Sequence, residues 1–175
     1  MATEFENKVK GRRNKRRIMA AVAVLLILLF VYFWFFRGGG SSEAKGTATV
    51  EIRCDQLSED LSALNDKALA DYVPEDGTIA AKTSYEIVPG ETTAFDLTER
   101  ICKDQDVQIE IDGNNGYGTV YVKGINYLYE FSAGKYSGWM FTVNGESPNY
   151  GADQVKLEDG DEVVWYYVID YNKEG

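Results

Sequence analysis

The sequence predicts an α+β domain, a mixed sheet wrapped on one helix, standing behind a single N-terminal transmembrane helix. Three observations predict it. Residues 18–36, "IMAAVAVLLILLFVYFWFF", are an apolar run with no charge. Beyond that run, short segments alternate apolar and polar residues with period two, and helical spacing is confined to a few stretches. The last alternating segment, "EVVWYYV", is apolar on both faces, which marks a central strand covered from both sides.

A helix over 18–36 would be about 28 Å long at a rise of ~1.5 Å per residue, close to the ~30 Å hydrocarbon core of a bilayer. The preceding "KVKGRRNKRR" holds seven Lys/Arg between Lys8 and Arg17, which keeps the N-terminus cytoplasmic. Tyr32 and Trp34 lie near the far end, where amphipathic rings favour the interface. Charge is split across the run. Residues 1–37 carry eight Lys/Arg and two Glu, whereas the remainder carries 10 Lys/Arg against 26 Asp/Glu, a net −16. That pattern predicts a single-pass plasma-membrane protein with an extracellular C-terminal domain. It excludes nucleic acid as that domain's partner, since phosphate binding needs clustered cations. The basic arm suits anionic lipid headgroups instead. A cleaved signal peptide is the rival reading, but the core is long and ends in "FWFFR", too bulky for a cleavage site. The expected layout is a basic arm at 1–17, an anchor at 18–36, a Gly/Ser-rich tether at 37–46 and a domain at 47–171.

Within the domain, "TATVEIRC" puts Ala48, Val50, Ile52 and Cys54 on one face of a half-buried strand. "QLSEDLSALNDKALADYV" spaces Leu57, Leu61, Leu64 and Ala68 as a short amphipathic helix, which "VPEDG" ends. "TIAAKTSYEIV" is a second strand with Ile79, Ala81, Thr83, Tyr85 and Ile87 on one side. A helix opens in "ETTAFDLTERICKDQD", capped by Thr93 with Asp96 three residues on, and shows Ala94, Leu97 and Ile101 as its stripe. "VQIEID" and "TVYVKGI" are strands separated by the turn-rich "GNNGYG", and "NYLYEFSAG" reads as irregular. "GWMFTV" and "EVVWYYV" complete the sheet, with Asn144-Gly145 as a two-residue turn signal. Strand, strand, helix and several strands with the last one central is the order of a β-grasp (ubiquitin-like) domain, whose first and last strands pair in parallel.

Residues 137–168, "SGWMFTVNGESPNYGADQVKLEDGDEVVWYYV", with "VPGETTAFDLTERICK" and "GINYLYEF" upstream, resemble the transcobalamin-like C-terminal domain family in its bacterial surface-protein members. The resemblance covers about residues 47–170. It implies a β-grasp fold and a corrinoid such as cobalamin as ligand, with Trp139 at the position of a tryptophan that touches the ligand in the vertebrate carriers. Those carriers enclose the corrinoid with a large helical domain that this chain lacks, so a ligand here would lie on an open face or against another protein. Ala133, Ala152 and Ile169 replace cysteines found in family members.

Cys54 and Cys102 are either a disulfide of an oxidising compartment or two buried thiols; the resemblance favours the bridge. The chain has no histidine, which removes Ser-His-Asp and Cys-His catalysis and His-containing zinc sites. Nothing pairs an acid with a base, and no cofactor is expected. "DGNNG" and "EDGDE" read as turns in preference to calcium loops. The expected function is a non-catalytic binding module, with a protein- or glycan-interaction module, docking for instance onto a transporter, as the alternative. Trp139 either packs in the core or joins Tyr117, Tyr127, Tyr129, Tyr136 and Tyr150 in an exposed platform, since aromatic faces in turn-rich segments stack well on planar ligands.

Overall fold

In this computed structural model, residues 45–113, 116 and 118–173 are described. The expected basic arm, the anchor at 18–36, most of the tether and Tyr117 lie outside the described residues. Among the described residues no helix is long and apolar enough to cross a membrane. They form, in order, β1 (Gly46–Arg53), α1 (Asp55–Glu59), β2 (Thr78–Ile87), α2 (Ala94–Asp104), β3 (Ile109–Asp112), β4 (Tyr121–Ile125), β5 (Leu128–Tyr129), β6 (Gly138–Val143) and β7 (Glu162–Val168).

The result is an α+β domain with a mixed sheet and one main helix. One sheet has the order β2-β1-β7-β6, and β3-β4-β5 forms a second. β1 and β7 run parallel, with Val50 opposite Val163 and Ile52 opposite Trp165, so the first and last strands are neighbours as the residue pattern requires. β7 is flanked on both sides, which explains its two apolar faces: Val163, Trp165, Tyr167 and Val168 are buried, and Val164 and Tyr166 are half-buried. In β1, Ala48, Val50, Ile52 and the following Cys54 are buried, matching the alternation.

α2 begins with the capping box that its sequence encodes. The Thr93 N–H donates to the Asp96 carboxylate at 2.7 Å, and the Asp96 N–H donates back to the Thr93 hydroxyl at 3.1 Å. Ala94, Leu97, Thr98 and Ile101 are fully buried, the three apolar ones in the principal core, and the helix packs on β1 and β2. At the other end, Gln105 pairs with the backbone of Ala81, accepting from its N–H and donating to its carbonyl, both at 3.2 Å. This occupies part of the free edge of β2, an edge that would otherwise offer pairing to another chain.

Four expectations are corrected. First, the helix over 56–73 is broken: α1 stops at Glu59, and 3-10 turns cover Leu61–Ala63 and Lys67–Tyr72. The Asp60 and Asp66 carboxylates accept the N–H groups of Ser62 (3.0 Å) and Ala68 (2.9 Å), so short acidic side chains compete with helical bonding at two points. Second, Ala80 is buried in β2 and Ala81 is exposed. The β1–β2 register shifts between Val50 and Ile52, and such a bulge reverses the inward parity. Third, the segment read as irregular contains β5. Asn126 and Tyr127, at φ 52° and 62°, form a two-residue turn that pairs Ile125 with Leu128. Fourth, Cys54 and Cys102 are free, buried thiols in different apolar clusters, Cys54 beside Leu57 and Tyr167 and Cys102 in the principal core. The disulfide is not formed. Burial pushes each thiol pKa up to about 12.

Candidate functional site

The site is assembled where β6 meets β4 and the loop that follows β6. Period two puts Trp139, Phe141 and Val143 on the core-facing side of β6, and all three pack on the principal cluster while remaining partly exposed. The Phe141 ring stacks on Trp165 at 4.9 Å and 25°. Trp139 meets Tyr167 edge-on at 5.3 Å and 84°, and its indole N–H donates to the Leu128 carbonyl at 2.7 Å. Beneath them the Trp165 indole N–H donates to the Thr98 hydroxyl at 2.7 Å, and Thr98 donates to the Ala94 carbonyl at 2.7 Å. Every indole N–H in this stack has a partner, so the rings are fixed.

The outer parts of these rings line an open cleft of about 230 Å³. β4 and its approach supply Val120, Tyr121 and Val122; β6 supplies Trp139, Met140 and Phe141; the loop after β6 supplies Ser147, Pro148, Gly151 and Ala152. A second depression of about 400 Å³ shares Ser147 and Pro148 with the first and continues over Val143, Glu146, Asn149, Tyr150, Gln154 and Val155. The two depressions adjoin at Ser147 and Pro148, and side by side they make up the candidate groove, with the aromatic rings at the Trp139 end and Glu146, Asn149 and Gln154 at the Tyr150 end. At about 230 and 400 Å³ they straddle the lower end of the roughly 300–1,000 Å³ range common for ligand sites.

Local sequence holds this groove in shape. Asn144 and Gly145 take φ 54° and 80°, and Val143 and Glu146 exchange backbone hydrogen bonds at 2.9 and 3.1 Å across the turn. The turn therefore closes on Glu146, and the chain makes a longer excursion before β7. That excursion is pinned to the start of α2: the Ala94 N–H donates to the Val155 carbonyl at 2.9 Å and the Phe95 N–H to the Ala152 carbonyl at 3.0 Å. Two otherwise orphaned helix N–H groups are thus satisfied by the wall of the groove. The Thr119 hydroxyl, donating to the Asp153 carboxylate, ties the same loop to β4.

Of the residues expected from the sequence, Trp139 lines the cleft and Tyr150, 69% exposed, lines the adjoining depression. Tyr127, Tyr129 and Tyr136 line neither depression. Tyr127 lies 4.6 Å from Tyr72, Tyr136 meets Tyr171 edge-on at 5.6 Å, and the Tyr129 hydroxyl accepts from Gln108 at 3.3 Å. Tyr117 is outside the described residues. Sequence reasoning missed Tyr121, Met140, Ser147 and Pro148. The first two sit in segments read as strands, where a residue's face is legible but the opposing element is not. The Tyr121 hydroxyl donates to Glu130 at 2.7 Å; burial first, then Glu130, pushes its pKa up to about 12.

Other features offer less. A larger depression of about 510 Å³ runs along α2, but Asp96, Glu99, Arg100 and Lys103 make its wall the mixed-charge flank of a solvated helix. The acidic turn at 158–162 spends its carboxylates on backbone: Asp159 accepts the Thr47 N–H and Asp161 the Glu158 N–H, both at 2.7 Å. Among the described residues no group of His, Cys, Asp and Glu is placed to hold a metal ion.

Comparisons with known proteins agree with the fold. No curated protein sequence matches this chain. Haptocorrin, solved in complex with Cbi, is similar in structure with a TM-score of 0.50 at 12% identity, over 72% of this chain and 25% of its own. This chain therefore spans about a quarter of haptocorrin's length. A protein from Ruminococcus gnavus ATCC 29149, for which metal binding has been suggested, aligns with a TM-score of 0.40 at 16% identity, over 72% of this chain and 99% of its own. The likeness to haptocorrin is one of fold, in keeping with the transcobalamin-like character of the sequence, and residues 91–168 match the model of a family described as a domain of unknown function, DUF4430.

Proposed function

We propose that this domain is a β-grasp binding module that holds a small, partly apolar ligand in the groove beside Trp139 and performs no chemistry on it. The observation that carries the reading is the groove itself: partly exposed, rigidly fixed aromatic rings converge with Met140 and Pro148 on an open apolar cleft next to a polar shelf. Such convergence is the usual composition of a ligand site. A corrinoid is the ligand class to try first, because the sequence resembles transcobalamin-like domains and the fold is shared with haptocorrin, which was solved with Cbi. The cleft is too small to enclose a macrocycle, so it would grip one edge of the ring and leave the rest against solvent or a partner. The absence of histidine and the burial of both thiols support a non-catalytic role, since a protonated buried thiol is a poor nucleophile. The uncharged run at 18–36 and the flanking basic residues support placement of the module outside the plasma membrane on a single-pass anchor.

Equilibrium titration of the full chain with cobinamide, cobalamin and haem tests the reading. A saturable change in tryptophan fluorescence with at least one of them supports it, and none at high micromolar ligand removes it. The exposed pairs Tyr72–Tyr127 and Tyr136–Tyr171 favour a second reading, a glycan or protein contact through those rings. Pull-down from solubilised membranes with Tyr136→Ala against wild type discriminates it.

A further inference from the structure

The charge of the groove narrows the ligand further, on the premise that the groove is a ligand site. Glu146 lines the polar shelf. Tyr121, which lines the cleft, donates its hydroxyl to the Glu130 carboxylate at 2.7 Å. Among the described residues no Lys or Arg lines either depression. Of the lysines on nearby segments, Lys123 lies 3.5 Å from Asp112, Lys135 sits 4.4 Å over the Tyr136 ring, and Lys156, exposed next to Val155, is not among the lining residues. Residues 38–175 as a whole carry net −16.

We propose that the groove selects ligands that carry positive charge and lack phosphate or carboxylate. An anionic group entering it would leave water without a cationic partner among the lining residues and would meet the Glu146 carboxylate and the negative field of the domain. A cationic ring edge gains from the same field and from the faces of Trp139 and Tyr121. Among corrinoids this favours an incomplete form, with amide side chains and no nucleotide loop, over one that carries the phosphodiester. It disfavours haem, whose two propionates are anionic.

The test is competition among aquacyanocobinamide, cyanocobalamin and haemin on the full chain in a zwitterionic detergent. Cobinamide is expected to bind at least about three-fold more tightly than cobalamin at low salt, the scale of one exposed ion pair. Haemin should bind weakest, and the differences should shrink at about 0.5 M salt, where the Debye length falls to a few Å. Glu146→Lys, at an exposed turn position, should cut the cobinamide preference by a similar factor while the thermal midpoint stays unchanged. Equal affinities, or a preference that Glu146→Lys leaves intact, overturn the charge rule and leave the groove standing as a site. Binding of none of the three overturns both.

Discussion

At the scale of single residues, the site depends on polar atoms that anchor aromatic rings. Thr98 is the clearest case: inside α2 it accepts from the Trp165 indole and donates to Ala94, so one hydroxyl joins helix to sheet. Thr98→Val keeps the shape and removes the acceptor, leaving a buried N–H unpaired, at a cost of about 1–3 kcal/mol. A urea midpoint shifted by that amount is expected; a change under about 0.5 kcal/mol would show that the bond is dispensable. The role of Thr98 could not be read from the sequence, because helical spacing gives its face and nothing about which ring lies across the core. The position of Trp139 was half legible. Its strand and face followed from alternation, but whether a core-facing ring also borders open space depends on how closely β4 and the loop after β6 approach.

Elements show where local rules sufficed and where they failed. Thr93 and Asp96 announce the start of α2, and Thr93→Ala should cost about 0.5–2 kcal/mol in chemical denaturation, the usual worth of an N-cap. β5 was hidden because its turn is built on Asn126-Tyr127, and Tyr is a poor marker for positive φ. Its partner strand carries Gly124 directly opposite Tyr129, and a Cβ there would meet that ring at 2.5–3.0 Å. Gly124→Ala is therefore expected to destabilise by about 1–3 kcal/mol, and Tyr129→Ala added to it should recover part of the loss. Failure of the second change to compensate would argue against the ring-on-glycine contact. Residues 56–73 misled in the opposite direction: apolar spacing was helical, yet Asp60 and Asp66 capture backbone N–H groups and divide the segment into turns.

For the molecule as a whole, the two thiols link stability to alkaline pH. Each has its folded pKa raised from the ordinary 9.0 to about 12 by burial, so the folded state keeps protons that the unfolded chain gives up. Stability from this source is fully present below pH 9.0 and declines as pH rises towards about 12. Denaturant midpoints measured at intervals from pH 8 upwards should begin to fall near 9, and Cys54→Ala with Cys102→Ala should remove the early part of that fall. Thiol titration without reductant, after unfolding, should find both cysteines reactive; finding neither would restore the disulfide that the sequence resemblance implied. The overall topology was legible because a last strand apolar on both faces had to be central. The groove was not, because it lies between segments far apart in the chain.

The most direct measurement is calorimetric titration of the full chain with cobinamide, run beside Ser147→Trp. Ser147 is exposed and borders both halves of the groove, so the larger ring fills the space without entering the core. A binding module of the kind described gives saturable heat in the wild type and loses it in Ser147→Trp, with the thermal midpoint unchanged. Wild-type heat that survives the substitution would place binding elsewhere, and no wild-type heat up to about millimolar ligand, an affinity weaker than roughly −4 kcal/mol, would contradict the account.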